Sequence, residues 1–225
     1  MNLKTASKTM ITAETIFDTL YLCTVWVCAF LLLFLSAGTE SLKHAAGWPA
    51  LMLAAGDSCH LVPRIIAMHS KKTYDYSAAL GNGKMIASVT MTLFYLELWH
   101  IGVKFYSFRN DFITAAVILT AAVRIMLCFF PQNRWADESA DTKWALWRNI
   151  PFFILGAAVM VLFYAGSRNM PGEASLIWFS VMISFACYMP VVLFSKRNPK
   201  AGMFMILKSC AYVSIILMCF SLPDA

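Results

Sequence analysis

Charge is scarce in this sequence: 13% of its 225 residues are Asp, Glu, Lys or Arg, about half the share of an average globular domain. A disordered tail, which stays unfolded by being polar and charged, is excluded. So is a nucleic-acid module, which needs a broad basic face. Cysteine occurs seven times and never as a CxxC pair. Cys23, Cys28, Cys59, Cys128, Cys187, Cys210 and Cys219 all fall inside apolar stretches, the pattern of small packing residues rather than of a disulfide framework. No HExxH, GxSxG or paired-histidine pattern occurs, so the sequence implies no metal and no cofactor. Gly81-Asn82-Gly83 follows no strand; it fails as a phosphate loop and reads as a turn or hinge.

What the chain has in abundance is apolar surface. Sixty per cent of its residues are hydrophobic, the mean hydropathy is +0.67, and the apolar residues come in long blocks rather than scattered. A helix crossing about 30 Å of hydrocarbon needs about 20 such residues. Seven blocks qualify: 15–36, 48–67, 85–103, 112–130, 150–165, 175–194 and 203–221, the fifth being the shortest. Turn formers punctuate them at Gly38, Gly47 and Pro49, at Gly81 and Gly83, at Pro131, at Pro171 and Gly172, and at Pro199 and Gly202. The expected fold is all-α, a single transmembrane bundle of seven helices over residues 1–225. The first block begins with Glu14 and Asp18, exceeds a signal-peptide core in length and reads as a retained anchor.

Lys and Arg set the expected orientation. Lys4, Lys8, Arg64, Lys71, Lys72, Lys84, Arg134, Lys143, Arg148, Lys196, Arg197 and Lys200 lie at one set of block ends, against Lys43, Lys104, Arg109 and Arg168 at the other. The bias places the N-terminus in the cytoplasm, the C-terminus outside and the chain in a cell membrane. The net charge of +6 is then topology signal, aided by attraction to an anionic inner leaflet. A short echo between "GDSCHLVPRIIA" and "ISFACYMPVVLF", each with a Cys before a Pro, suggests parallel repeats of spans 1–3 and 5–7 joined by span 4.

A charged side chain deep in a bilayer costs about 2.5–3.5 kcal/mol on insertion scales, so Asp57, Glu97, Arg124 and Lys208 stand out. Asp57, His60 and Arg64 are spaced i, i+3, i+7 and share one helix face; Glu97, His100 and Lys104 repeat the spacing. Helix rise puts Glu97 about 9 Å and Asp57 about 13 Å below the outer face, within reach of one cavity. Two carboxylates there would not both ionise, leaving a protonated acid beside an ionised base, the arrangement acid–base hydrolysis uses. The bland alternatives stay open: Asp57 as a packing ion pair with Arg124, Lys208 or His60, His100 as an interfacial anchor beside Trp99, and Arg124 and Lys208 snorkelling to headgroups.

The run "LMLAAGDSCHLVPRI", followed by a span ending "FYLELWHIG", resembles the first half of the lysoplasmalogenase (YhhN-like) family over about residues 48–105. That family comprises polytopic membrane hydrolases that cleave the vinyl-ether bond of lysoplasmalogens, with a Gly-Asp motif in an early helix and a Ser-Asp motif in a later one. Gly56 and Asp57 match the first motif. At the second, Ser184 is followed by Phe185. The resemblance implies a catalytic Asp57; Glu97 is then the residue expected to replace the missing aspartate, with His60 orienting the pair. Lys208, Arg124 or Arg64 would hold the phosphate of a lysolipid-like substrate. A different class remains open, a small cation- or proton-coupled transporter in which Asp57 and Glu97 bind the ion. The sequence leaves the oligomeric state open.

Overall fold

The computed structural model describes residues 8–36, 38–70, 74–137, 142–170, 172–194 and 203–224. The basic residues Lys4, Lys71, Lys72, Lys196, Arg197 and Lys200 and the turn formers Pro171, Pro199 and Gly202 lie outside these. Among the described residues there are seven α-helices and no strand: α1 Lys8–Phe34, α2 Leu42–His69, α3 Ser77–Phe105, α4 Asp111–Phe129, α5 Thr142–Ser167, α6 Ile177–Phe194 and α7 Phe204–Cys219. Six are long and apolar enough to cross a membrane, and the chain is a multi-pass membrane protein. The seventh, with 16 residues, reaches only about 24 Å at 1.5 Å per residue.

Most helices outrun the apolar blocks that announce them. Hydropathy ends where charge begins, but backbone hydrogen bonding continues through polar residues. Thus α5, expected to be the shortest, has 26 residues because Lys143, Arg148 and Asn149 extend it, and Pro151 lies inside it. Likewise Gly81-Asn82-Gly83 is not a turn. It lies inside α3, and its glycines serve close packing: a Cβ on Gly83 would come 2.3 Å from the carbonyl oxygen of Cys59 on α2. Two starts are capped in the usual way, Ser41 accepting from the backbone N–H of His44 at 3.0 Å and Asn110 from that of Ile113 at 3.1 Å. At the end of α4, Asn133 donates to the carbonyls of Leu127 and Phe130, and Trp135 donates to that of Cys128. Carbonyls the helix cannot satisfy itself are met there.

Consecutive helices are neighbours, and α1 closes the bundle against α7. Across the middle α3 touches α5 and α2 touches α7, while α4 flanks α3 and α5. On α4, Phe112 (84% exposed), Leu119 (65%) and Met126 (64%) recur every seven residues, an apolar stripe turned to the surroundings. At the centre is an aromatic cluster. Tyr95 packs edge-on or tilted against Phe94, Phe152, Phe185 and Tyr212, with ring centroids 5.2–6.4 Å apart.

Lys8, Arg64, Lys84, Arg134, Lys143 and Arg148 cluster toward the end of the bundle where α1 begins, called the basic end below; Lys43, Lys104, Arg109 and Arg168 lie toward the other.

Candidate functional site: a polar cluster in the basic half of the bundle

The residues at the heart of the cluster come from α1, α2 and α7. Gly56 lets α2 approach α3 so closely that a Cβ there would lie 1.8 Å from Thr90 Oγ1. Asp57, the next residue, is half-buried. Tyr21 of α1, 4% exposed, donates its hydroxyl proton to Asp57 Oδ2 at 2.5 Å. From α7 comes Lys208, 8% exposed. Its ammonium sits 4.9 Å from the ring centroids of both Tyr188 and Tyr212, which stabilise it through their π faces.

Asp57 and Lys208 attract one another electrostatically, yet no nitrogen–oxygen contact within 4 Å joins them. They interact without touching. This is not the locked ion pair open on sequence grounds. Nor does Lys208 snorkel: its charge is held inside the bundle. Arg124 is held inside too, 2% exposed, with its guanidinium 3.6 Å above the Phe152 ring. It donates to Asn149 Oδ1 at 3.4 Å, an oxygen that also accepts from the Tyr188 hydroxyl at 3.1 Å. Its Nε is buried without a partner. Lys208 and Arg124 thus reach the same cluster through Tyr188.

A second polar face lines α1. Glu14, Asp18 and Tyr21 are spaced i, i+4, i+7, one stripe on a helix, and it faces the Asp57–His60–Arg64 stripe of α2. Arg64 clamps Glu14, donating from Nε to Oε1 at 2.9 Å and from Nη2 to the same oxygen. Asp18 is 8% exposed, its Oδ2 buried with no hydrogen-bond partner, within electrostatic reach of Glu14, Arg64 and Asp57. His60 has a buried, unpartnered Nδ1 and is surrounded by the cations Arg64, Lys84 and Lys208.

Of the residues singled out from the sequence, the fold brings Asp57, His60, Arg64, Lys208 and Arg124 into one region, with Arg64 occupied by Glu14. Glu97 does not join them. Gly56 abuts Thr90, so Glu97, seven residues further along α3, lies about 10 Å by helix rise toward the opposite end. Its carboxylate is 40% exposed, 3.6 Å from His100 Nδ1 on the next turn. The two carboxylates expected to share a cavity therefore lie at different levels of the bundle. Phe185, which follows Ser184, packs against Phe152 and Phe153, while Ser184 accepts a long hydrogen bond from Tyr95 at 3.4 Å.

Three residues of the cluster escaped the sequence reading: Tyr21, Asp18 and Glu14. The signal was present in the i, i+4, i+7 spacing of α1, the same spacing that drew notice on α2.

Beside the cluster, on the outside of the bundle, α1 and α2 enclose an open apolar groove of about 620 Å³ lined by Leu22, Trp26, Phe30, Val62 and Ile66 among others. Its polar wall is closed by Trp26 donating to Ser58 Oγ at 3.0 Å and Ser58 donating to the Ala54 carbonyl at 2.7 Å. No family model, no curated protein and no solved structure matches this chain.

Proposed function

We propose that this chain is an integral membrane hydrolase of the lysoplasmalogenase type, cleaving the vinyl-ether bond of a lysolipid by acid–base chemistry at Asp57. The observation that carries the reading is the facing pair Asp57 and Lys208: an acid held at one oxygen by Tyr21 opposite a buried cation that no carboxylate among the described residues approaches within 4 Å. In the reaction R–CH=CH–O–R′ + H₂O → R–CH₂–CHO + HO–R′, protonated Asp57 adds its proton to the vinyl carbon remote from oxygen. An oxocarbenium ion forms, water captures it, and the Asp57 carboxylate takes the proton that water releases. The hemiacetal then collapses to aldehyde and alcohol. Lys208 supplies a positive charge for the headgroup phosphate, and the groove between α1 and α2 has the apolar lining and lateral opening that a lipid chain needs. On this reading the basic end faces the cytoplasm.

The test is product chemistry. Purified protein in detergent should release fatty aldehyde from a 1-alkenyl lysolipid and none from the 1-alkyl analogue, whose saturated ether has no carbon to protonate. Equal inertness toward both would overturn the proposal. A second reading, a small proton- or cation-coupled carrier, is favoured by the run of carboxylates from Glu14 through Asp18 to Asp57. Solute uptake into proteoliposomes with no product formed would favour it.

A further inference from the structure

The carboxylates of α1 take no part in the reaction above, and one of them lacks what a buried charge requires. Asp18 is more than nine-tenths buried, with Oδ2 unpartnered among the described residues. Two other carboxylates lie in its field, Glu14 one turn earlier on α1 and Asp57 on α2. The nearest cation, Arg64, spends both Nε and Nη2 on Glu14 Oε1. The remaining charged and titratable groups around this face are distributed unhelpfully. Lys208 on α7 stands opposite Asp57, His60 on α2 lies among Arg64, Lys84 and Lys208, and Tyr21 gives its proton to Asp57. An ionised carboxylate removed from water and left unpaired is strongly disfavoured. The smallest ligand that removes the cost is a proton.

We propose that Asp18 is a proton-binding site, holding an exchangeable proton and passing it between the basic end of the bundle and Asp57. The step is a balanced transfer: the Asp18 acid gives its proton to the Asp57 carboxylate, and Asp18 regains one from water entering past the Glu14–Arg64 pair. The spacing Glu14, Asp18, Tyr21 makes the stripe continuous, since each group stands one turn from the next along α1. The proton site serves either use of Asp57, as hydrolytic acid or as ion carrier, so its test does not depend on turnover.

The test uses the full chain in lipid nanodiscs. Dicyclohexylcarbodiimide enters apolar environments and reacts with protonated carboxyls: the acid adds across one C=N bond, and the O-acylisourea rearranges to a stable N-acylurea. Peptide mass mapping should find the adduct on Asp18 at neutral pH and lose it in Asp18→Asn, a near-isosteric change that preserves packing. Infrared spectra supply a readout free of reagent access. The carboxylic-acid carbonyl band should be present in wild type, shift in ²H₂O because the proton exchanges, and lose the Asp18 component in Asp18→Asn. Absence of an acid band assignable to Asp18 at neutral pH overturns the proposal whatever the labelling. So does an acid band that appears only when Na⁺ is removed, which would make the ligand a metal cation.

Discussion

Asp57→Asn should lower the rate of aldehyde release from a 1-alkenyl lysolipid at least about a hundred-fold, the lower end of what a positioned general acid contributes. Asparagine keeps the shape of the side chain and an oxygen to accept the Tyr21 hydroxyl, the hydrogen bond that fixes Asp57 among the described residues. What it removes is the transferable proton. The loss should therefore fall on kcat with KM little changed, because headgroup and chain contacts remain. Asp57→Glu, which keeps the acid but lengthens its reach, should recover part of the rate. Wild-type turnover in a folded Asp57→Asn protein would remove Asp57 from the chemistry and leave it a packing residue.

The largest structural effect is expected at the neighbouring residue. A methyl group on Gly56 would meet Thr90 Oγ1 at 1.8 Å, Cβ at 2.7 Å and Cγ2 at 3.1 Å. All three atoms belong to a β-branched side chain with a stiff χ1, so none is the mobile tip of a long residue. Gly56→Ala must push α2 and α3 apart, and overpacking of this kind costs typically about 1–3 kcal/mol. A depressed unfolding midpoint and loss of monodisperse protein in detergent should result. Thr90→Gly removes all three clashing atoms; on that background Gly56→Ala should be nearly free, a coupling that appears only between touching residues. If Gly56→Ala costs the same in both backgrounds, the close approach of α2 and α3 is wrong. The pair of experiments separates two meanings of the Gly-Asp dipeptide: the glycine lets the helices meet, and the aspartate, on the proposed reading, supplies the chemistry.

The helices were legible because apolar length is a one-dimensional property. Every apolar block lies largely within a helix, and the errors sit at the ends, where α5 runs on through Lys143 and Arg148. The half of the site on α2 was legible for a related reason: Asp57, His60 and Arg64 interrupt an apolar helix at helical spacing. Glu97, His100 and Lys104 have the same spacing but face outward, and Glu97 pairs with its own helix. Depth counted from the block ends gave the wrong register, since Gly56 against Thr90 and Gly83 against Cys59 decide how α2 and α3 slide past each other. Such contacts are pairwise and cannot be counted along one chain. Tyr21 was hidden for a different reason. A tyrosine in an apolar helix looks like packing until its hydroxyl is seen to end on a carboxylate.

The central claim is that the space between Asp57 and Lys208 admits an amphiphile. A lysolipid bearing a diazirine near its ether linkage, photolysed with the purified protein and mapped by peptide mass spectrometry, tests it most directly. Adducts on Asp57, Tyr21 or Tyr212, competed away by excess unlabelled 1-alkenyl lysolipid, are the expected result. Adducts confined to outward residues such as Leu119 and Met126, unaffected by competitor, would contradict the account and leave a polar cluster sealed inside a helical bundle.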